Sequence, residues 1–391
     1  MSRLTVIDGF RGFFLLFMGV FHFNTVLDTV LGKVNHHNVG WVEDAQGFVF
    51  ISGLVVGIVY GRKHLRARSL RESFGPILAR VRTIYLHQLG LVLILLAAAL
   101  LLGSAAARPL MPYVESPVAF TIASLGLTTA SGNMGILPMY IVFLFGVPFA
   151  FRMLERGWDI PFALVLTLGW TLGQSGLAEL LADSVQGALG LPFRFAFGFN
   201  LFAWQVLFFG GLWFGFRMAC NRLDLSFLEQ AQYRVAFLIS AGAIVALAIL
   251  DRIVGWNLFG EVFSQGFTLR TDRGQLAWIY PVAFLIDLFV VVWLMRVGIT
   301  DRSRWIRGLG AGLTWFFTRR PLVFLGQHSL HVFSFHILVY YLLAQVIPGH
   351  DLSEGVRTLI LLAAVASLYL AAAFHAAHQA WDLRARDRAA S

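Results

Sequence analysis

Ten predominantly apolar stretches recur along the chain, near 10–29, 47–61, 84–104, 137–154, 161–181, 200–219, 233–252, 277–297, 321–345 and 356–378. At 1.5 Å of rise per residue, stretches of this kind cross the hydrocarbon core of a bilayer as helices, the second being the shortest. A further segment, 118–130, is interrupted by Thr and Ser and reads as a half-helix. The pattern predicts an all-α, polytopic integral membrane protein with about ten transmembrane helices. No repeat, low-complexity tract or long linker breaks it. A single membrane domain is therefore expected over 1–391, with a core of about 8–380 and a short basic tail at 381–391. The first apolar stretch runs past His22 with no small-residue cleavage site after it, so it reads as a span rather than a removable leader.

Composition strengthens this picture. Hydrophobic residues make up 58% of the chain and charged residues 13%, about half the charge of an ordinary soluble domain. Thirty-seven Phe and 11 Trp exceed what one water-soluble core hides, and the single Cys220 excludes a disulfide scaffold. The net charge of +9 does not mark a nucleic-acid partner, because the aromatics lie inside the spans rather than beside the basic residues. Of 30 basic residues, only Lys33 and Lys63 are Lys. With a cytoplasmic N-terminus, alternate loops divide them 23 inside against 7 outside, which places both termini in the cytoplasm.

Ionisable side chains inside a bilayer are costly, and by default they mark function. The first span carries Asp8, Arg11 and His22. Eleven residues at 100° each bring Arg11 and His22 back to one face, three turns plus about 20° apart and roughly 16 Å along the axis. Asp8 either caps the helix or steadies Arg11. His22 either bonds to a neighbouring helix or, as a neutral imidazole, takes a proton from a hydroxyl. The ninth span holds Arg319-Arg320-Pro321, Gly326-Gln327-His328-Ser329, His331 and His336. Ser329 and His336 share a face, whereas His328 and His331 read as helix packing. With no HExxH and no Cys cluster, no metal is expected.

Other polar positions leave alternatives open. Asp287 lies mid-span and calls for an Arg or His partner. Trp204-Gln205, like Gln88, either binds a hydroxylated ligand or bridges helices. His375 and His378 fall near the inner membrane surface, and His36 and His37 in the first outer loop, solvated or seating an acceptor. Arg80 and Arg82 abut the third span on the cytosolic side, where guanidinium groups suit phosphates. Neither GxxxxGK[ST] nor GxGxxG occurs at a strand–helix junction, so no nucleoside triphosphatase or dinucleotide site is expected.

Asp8-x-x-Arg11-Gly12 followed by His22 resembles the Arg-x10-His signature of the acyltransferase-3 superfamily of membrane acyltransferases. Gly47-Phe48-Val49-Phe50-Ile51-Ser52-Gly53, Leu137-Pro138-Met139-Tyr140, Asn200-Leu201-Phe202-Ala203-Trp204-Gln205 and Leu325-Gly326-Gln327-His328-Ser329-Leu330 resemble its OpgC branch, named for succinylation of osmoregulated periplasmic glucans. The resemblance runs in order from residue 8 to about 345. It implies a ten-helix core in the bacterial inner membrane that passes an acyl group from cytosolic acyl-CoA to a glycan hydroxyl on the periplasmic side.

Carried over residue by residue, Arg11 and His22 match the essential pair of that superfamily, and Gly326, Ser329 and His336 resemble its later Gly…Ser…His pattern. The Arg-x-x-Arg pair that many relatives place at the start of the third span is replaced by Arg80-x-Arg82, with Ala79 where the first partner would fall. Arg68-x-x-Arg71 lies further upstream. Gln46 stands where the branch has an acidic residue.

The expected mechanism is acyl transfer, with His22 as general base or transient acyl carrier and Arg11, steadied by Asp8, orienting the donor. Ser329, His336, Trp204, Gln205 and His36 are the expected contacts of the acceptor. Arg80, Arg82 and Arg320 are those of the donor, succinyl-CoA or another acyl-CoA. The expected partners are the periplasmic glucan, the acyl-CoA and membrane lipid, with no nucleic acid. The alternatives are acetyl transfer to another envelope glycan, or a lipid or sugar carrier without chemistry. The carrier is disfavoured because the two halves show no inverted repeat.

Overall fold

The computed structural model describes residues 3–34, 41–196 and 198–390. Its first helices are α1 (Arg3–Leu27), α2 (Val30–Lys33), α3 (Asp44–His64), α4 (Leu70–Leu102), α5 (Met111–Glu115) and α6 (Pro117–Leu125). They are followed by α7 (Ile136–Glu155), α8 (Asp159–Gln174), α9 (Leu177–Leu189), α10 (Leu201–Ala219), α11 (Ala231–Gly255) and α12 (Glu261–Arg270). The last are α13 (Ile279–Arg296), α14 (Arg304–Phe317), α15 (Arg320–Gln327), α16 (Ser329–Val346) and α17 (Glu354–Ala390). Among the described residues there is no strand. Among the described residues nine helices are long and apolar enough to cross a membrane, or ten if the bent pair α8–α9 forms one span. The chain is an all-α, multi-pass membrane protein.

Three expected spans differ in detail. The stretch expected at 161–181 bends by 55° at Gly176, whose φ of +73° is the left-handed conformation that glycine adopts without a Cβ penalty. The stretch expected at 321–345 breaks at His328 into the short α15 and the longer α16. The helix that carries the third span begins at Leu70, well before 84, because Ser69 accepts the Glu72 amide at 3.2 Å and caps it. The segment read as a half-helix contains α6. Asp287 has neither an ion pair nor a hydrogen bond among the described residues, so the partner expected for it is not there.

Packing divides the chain into two compact units, one of residues 1–38 with 291–391 and the other of residues 39–290, the division falling within α13. In the first unit α1 and α16 run parallel. The pairs Arg11 with Ser329 and His22 with His336 rise together along them. α17 runs antiparallel to both. Its start meets the end of α1, where Arg357 Nη1 donates to the Leu27 carbonyl at 3.2 Å. Further along, His375 meets His328 at 2.8 Å. α1 and α15 touch backbone to backbone: a Cβ on Gly12 would strike the Leu322 carbonyl, and one on Gly326 the Asp8 carbonyl. Small residues permit this approach, which in a membrane is a main source of helix association.

In the second unit α3 and α10 pack in parallel through a ladder of glycines. Gly53 and Gly57 face the Phe208 and Leu212 carbonyls, while Gly211 and Gly215 face those of Phe50 and Leu54. The motifs noted in the sequence also close helix ends. Gln46 Oε1 accepts the Glu43 amide at 2.7 Å and completes a capping box at the start of α3. Asn200 Oδ1 accepts from the Phe202 and Ala203 amides and caps α10. Gln46 thus fills the place of the expected acidic residue with a structural task.

Candidate functional site

The four polar residues that pair between α1 and α16 all belong to the first unit. The interlock of Gly12 and Gly326 with the facing carbonyls fixes the register of α1 against α15, three residues before Ser329. Arg11, half-buried, then donates from Nη2 to Ser329 Oγ at 2.5 Å. Asp8, one turn earlier, lies beside Arg11 and within hydrogen-bonding reach of the Gln327 side chain. Guanidinium, carboxylate, amide and hydroxyl thus meet at one end of the unit.

Eleven residues further along α1, a second pair is ordered by hydrogen bonding. His22 Nδ1 lies 2.9 Å from His336 Nε2, and His336 Nδ1 lies 2.6 Å from the Phe333 carbonyl oxygen. A carbonyl only accepts, so for neutral rings His336 carries its proton on Nδ1 and its lone pair on Nε2. His336 Nε2 in turn accepts the proton held by His22 Nδ1. That leaves the His22 lone pair on Nε2, which is the form an imidazole base requires. His336 is 1% exposed, packed against Phe333 and Phe23, while His22 is only half-buried. The relay therefore has an inner end fixed in the helix core at His336 and a half-buried outer end at His22.

The remaining expected residues are distributed elsewhere. Trp204 Nε1 donates to the Gly274 carbonyl at 2.9 Å and Gln205 Nε2 to the Leu166 carbonyl at 2.7 Å. Of the two readings left open for them, both side chains bridge segments of the second unit. Gln88 is fully buried, with Nε2 3.5 Å from the Ser124 carbonyl. Arg80 and Arg82 lie on the continuous helix α4, where a spacing of two residues turns them about 200° apart, so they do not share a face. Arg320 is exposed at the first position of α15. His36 and His37 lie outside the described residues.

His328 and His331 pack against α17: His328 Nδ1 is 2.8 Å from His375 Nδ1, and the His331 ring stacks on that of His375 with centroids 3.4 Å apart. No group of three His, Cys, Asp or Glu suited to a metal ion occurs among the described residues.

A family model described as OpgC protein matches residues 3–380, nearly the whole chain. The chain belongs to the OpgC family. OpgC membership supports a glucan-modifying, acyltransferase-type role in general. The matched stretch contains the Arg11–Ser329 and His22–His336 pairs together with the glycines that set their register. No curated protein and no solved structure matches the chain.

Sequence reasoning did not anticipate the tasks of Phe333 and Gln327. Phe333 acts through its carbonyl, which any residue at that position supplies, so no side-chain signal announces it. Gln327 sits in a quoted motif, but its nearness to Asp8 depends on the contact between α1 and α15.

Proposed function

We propose that this OpgC-family chain transfers a succinyl or other short acyl group from cytosolic acyl-CoA to a hydroxyl of a periplasmic glucan across the bacterial inner membrane. The observation that carries the reading is the relay from the Phe333 carbonyl through His336 to His22. It holds His22 in the tautomer of a general base, with the lone pair on Nε2.

His22 Nε2 takes the proton of the glucan hydroxyl as its oxygen attacks the thioester carbonyl. The new C–O bond forms, the C–S bond breaks, and the proton passes from His22 to the departing thiolate, giving the ester and CoA. Arg11 is about 16 Å from His22 along α1, too far to touch the same carbonyl, so its work is to hold the donor. Its tie to Ser329 fixes the guanidinium in place before the donor arrives, which lowers the ordering cost of binding. The excess of basic residues on alternate loops places the Arg11 end at the cytosolic side, where Arg320, at the start of α15, meets the donor phosphates.

The test uses purified chain in lipid nanodiscs with isotopically labelled succinyl-CoA, acetyl-CoA and glucan, read by mass spectrometry. The expected product is glucan carrying a succinyl increment, lost in His22→Ala. An acetyl increment would reassign the donor, and consumption of neither donor would overturn the reading in favour of a carrier. Normal transfer by His22→Ala would remove the proposed base.

A further inference from the structure

α14 divides its surface into three faces. Ile306, Gly310 and Phe317 recur at helical spacing and are buried. Trp305, Leu309 and Phe316 fall on a second stripe within about 40° of one another and are 74%, 61% and 39% exposed. Arg307 and Arg304 lie on a third face that closes the circle between the buried face and the free edge of the apolar stripe, Arg304 nearer the stripe. Among the chain's helices this one combines a short length, a bare aromatic stripe and a cluster of guanidinium groups.

The surrounding segment is strongly one-signed. Residues 296–320 contain six Arg and one acid, Asp301. That acid is 8% exposed and is engaged locally, its Oδ1 accepting the Ser303 amide at 2.8 Å. Two arginines are held against the aromatics: Arg304 lies 5.5 Å from the Trp305 ring centroid and Arg319 lies 4.2 Å from that of Trp315. An amphipathic helix with Trp and Leu on its bare side and arginines beside them has the composition of an interfacial element. The rings enter the headgroup boundary and the guanidinium groups meet phosphate. The apolar helix α16 follows within a dozen residues of its end, so the membrane surface is within reach of this face.

We infer that the exposed face of α14 docks anionic phospholipid headgroups, with Arg302, Arg304 and Arg319 at the phosphates and Trp305, Leu309 and Phe316 among the upper acyl carbons. The neighbouring buried face, about 100° round the helix, grips α1. Phe317 stacks on Phe10 with ring centroids 3.6 Å apart, and its carbonyl closes over Gly9. The lipid thus seats on a helix clamped one residue before Arg11. The docking does not depend on the acyl-transfer reading.

The test replaces Leu309 with Cys on a Cys220→Ser background, labels it with a nitrobenzoxadiazole probe and places the full chain in phosphatidylcholine nanodiscs. Brominated phosphatidylglycerol and brominated phosphatidylcholine are then compared as quenchers at equal mole fraction. The expected result is quenching about threefold or more stronger by the anionic lipid, the ratio falling toward one in Arg302→Gln/Arg304→Gln. The same ratio read from a probe at Trp305→Cys guards against a local effect of the label. Equal quenching by both lipids in the unaltered background would overturn the headgroup preference. Quenching by neither would overturn the lipid surface altogether. The readout is independent of catalysis, so either failure leaves the proposed transfer reaction standing.

Discussion

Replacing His336 tests whether the relay sets the state of His22. His336 makes two short contacts, 2.9 Å to His22 Nδ1 and 2.6 Å to the Phe333 carbonyl. His336→Phe preserves much of the ring volume but removes the acceptor for the His22 Nδ1 proton. Leaving a donor of this kind unsatisfied costs about 1–3 kcal/mol. If that cost falls on the reacting geometry, kcat drops by about 5- to 150-fold. Because the relay does not touch the donor, KM for acyl-CoA stays near its starting value, and kcat and kcat/KM fall together. His336→Gln places a carbonyl oxygen near the lost Nε2 and restores part of the rate, a rescue that simple loss of packing does not give. Steady-state transfer of labelled acyl groups in nanodiscs reads both variants, with size-exclusion profiles confirming that they fold. Folded His336→Phe turning over at the original kcat would refute the relay.

Removing the base itself with His22→Ala is expected to cost about 10²–10⁴ in kcat, measured in the same assay, and a smaller loss would shift the base elsewhere. Gly12→Ala drives a Cβ into the Leu322 carbonyl, so thermal unfolding in detergent should show about 1–3 kcal/mol lost. Gly312→Ala, with nothing within 4 Å, should gain roughly 0.5–1 kcal/mol of helix stability, and equal behaviour of the two would contradict the backbone contact of α1 with α15. Phe317→Ala removes the stack on Phe10 and is expected to cost about 3–5 kcal/mol, with activity falling as the inner end of α1 loosens. Trp204→Phe loses one hydrogen bond to Gly274, about 0.5–1.5 kcal/mol, and should lower the melting temperature without changing KM for glucan. A large rise in that KM at constant stability would instead make Trp204 a contact of the acceptor.

The amino-acid order by itself determined the membrane class, because a bilayer demands long apolar stretches whatever their neighbours are. It also determined that Arg11 and His22 share one face, since helical geometry is local and 11 residues return almost to the starting angle. Breaks were less legible. Nothing local distinguishes His328, where one helix ends and the next begins, from the helical residues around it, and Gly176 became a bend only through its left-handed backbone.

What the tertiary structure alone decided is which polar group answers which. Ser329 and His336 are more than 300 positions from their partners, and their meeting rests on glycines 12 and 326 letting two backbones touch. The same long-range packing spent Trp204 and Gln205 on carbonyls and turned Gln46 into a cap. A buried hydrogen bond forms wherever the fold brings a donor to an acceptor. Residue type limits those choices, and only the three-dimensional neighbourhood makes them.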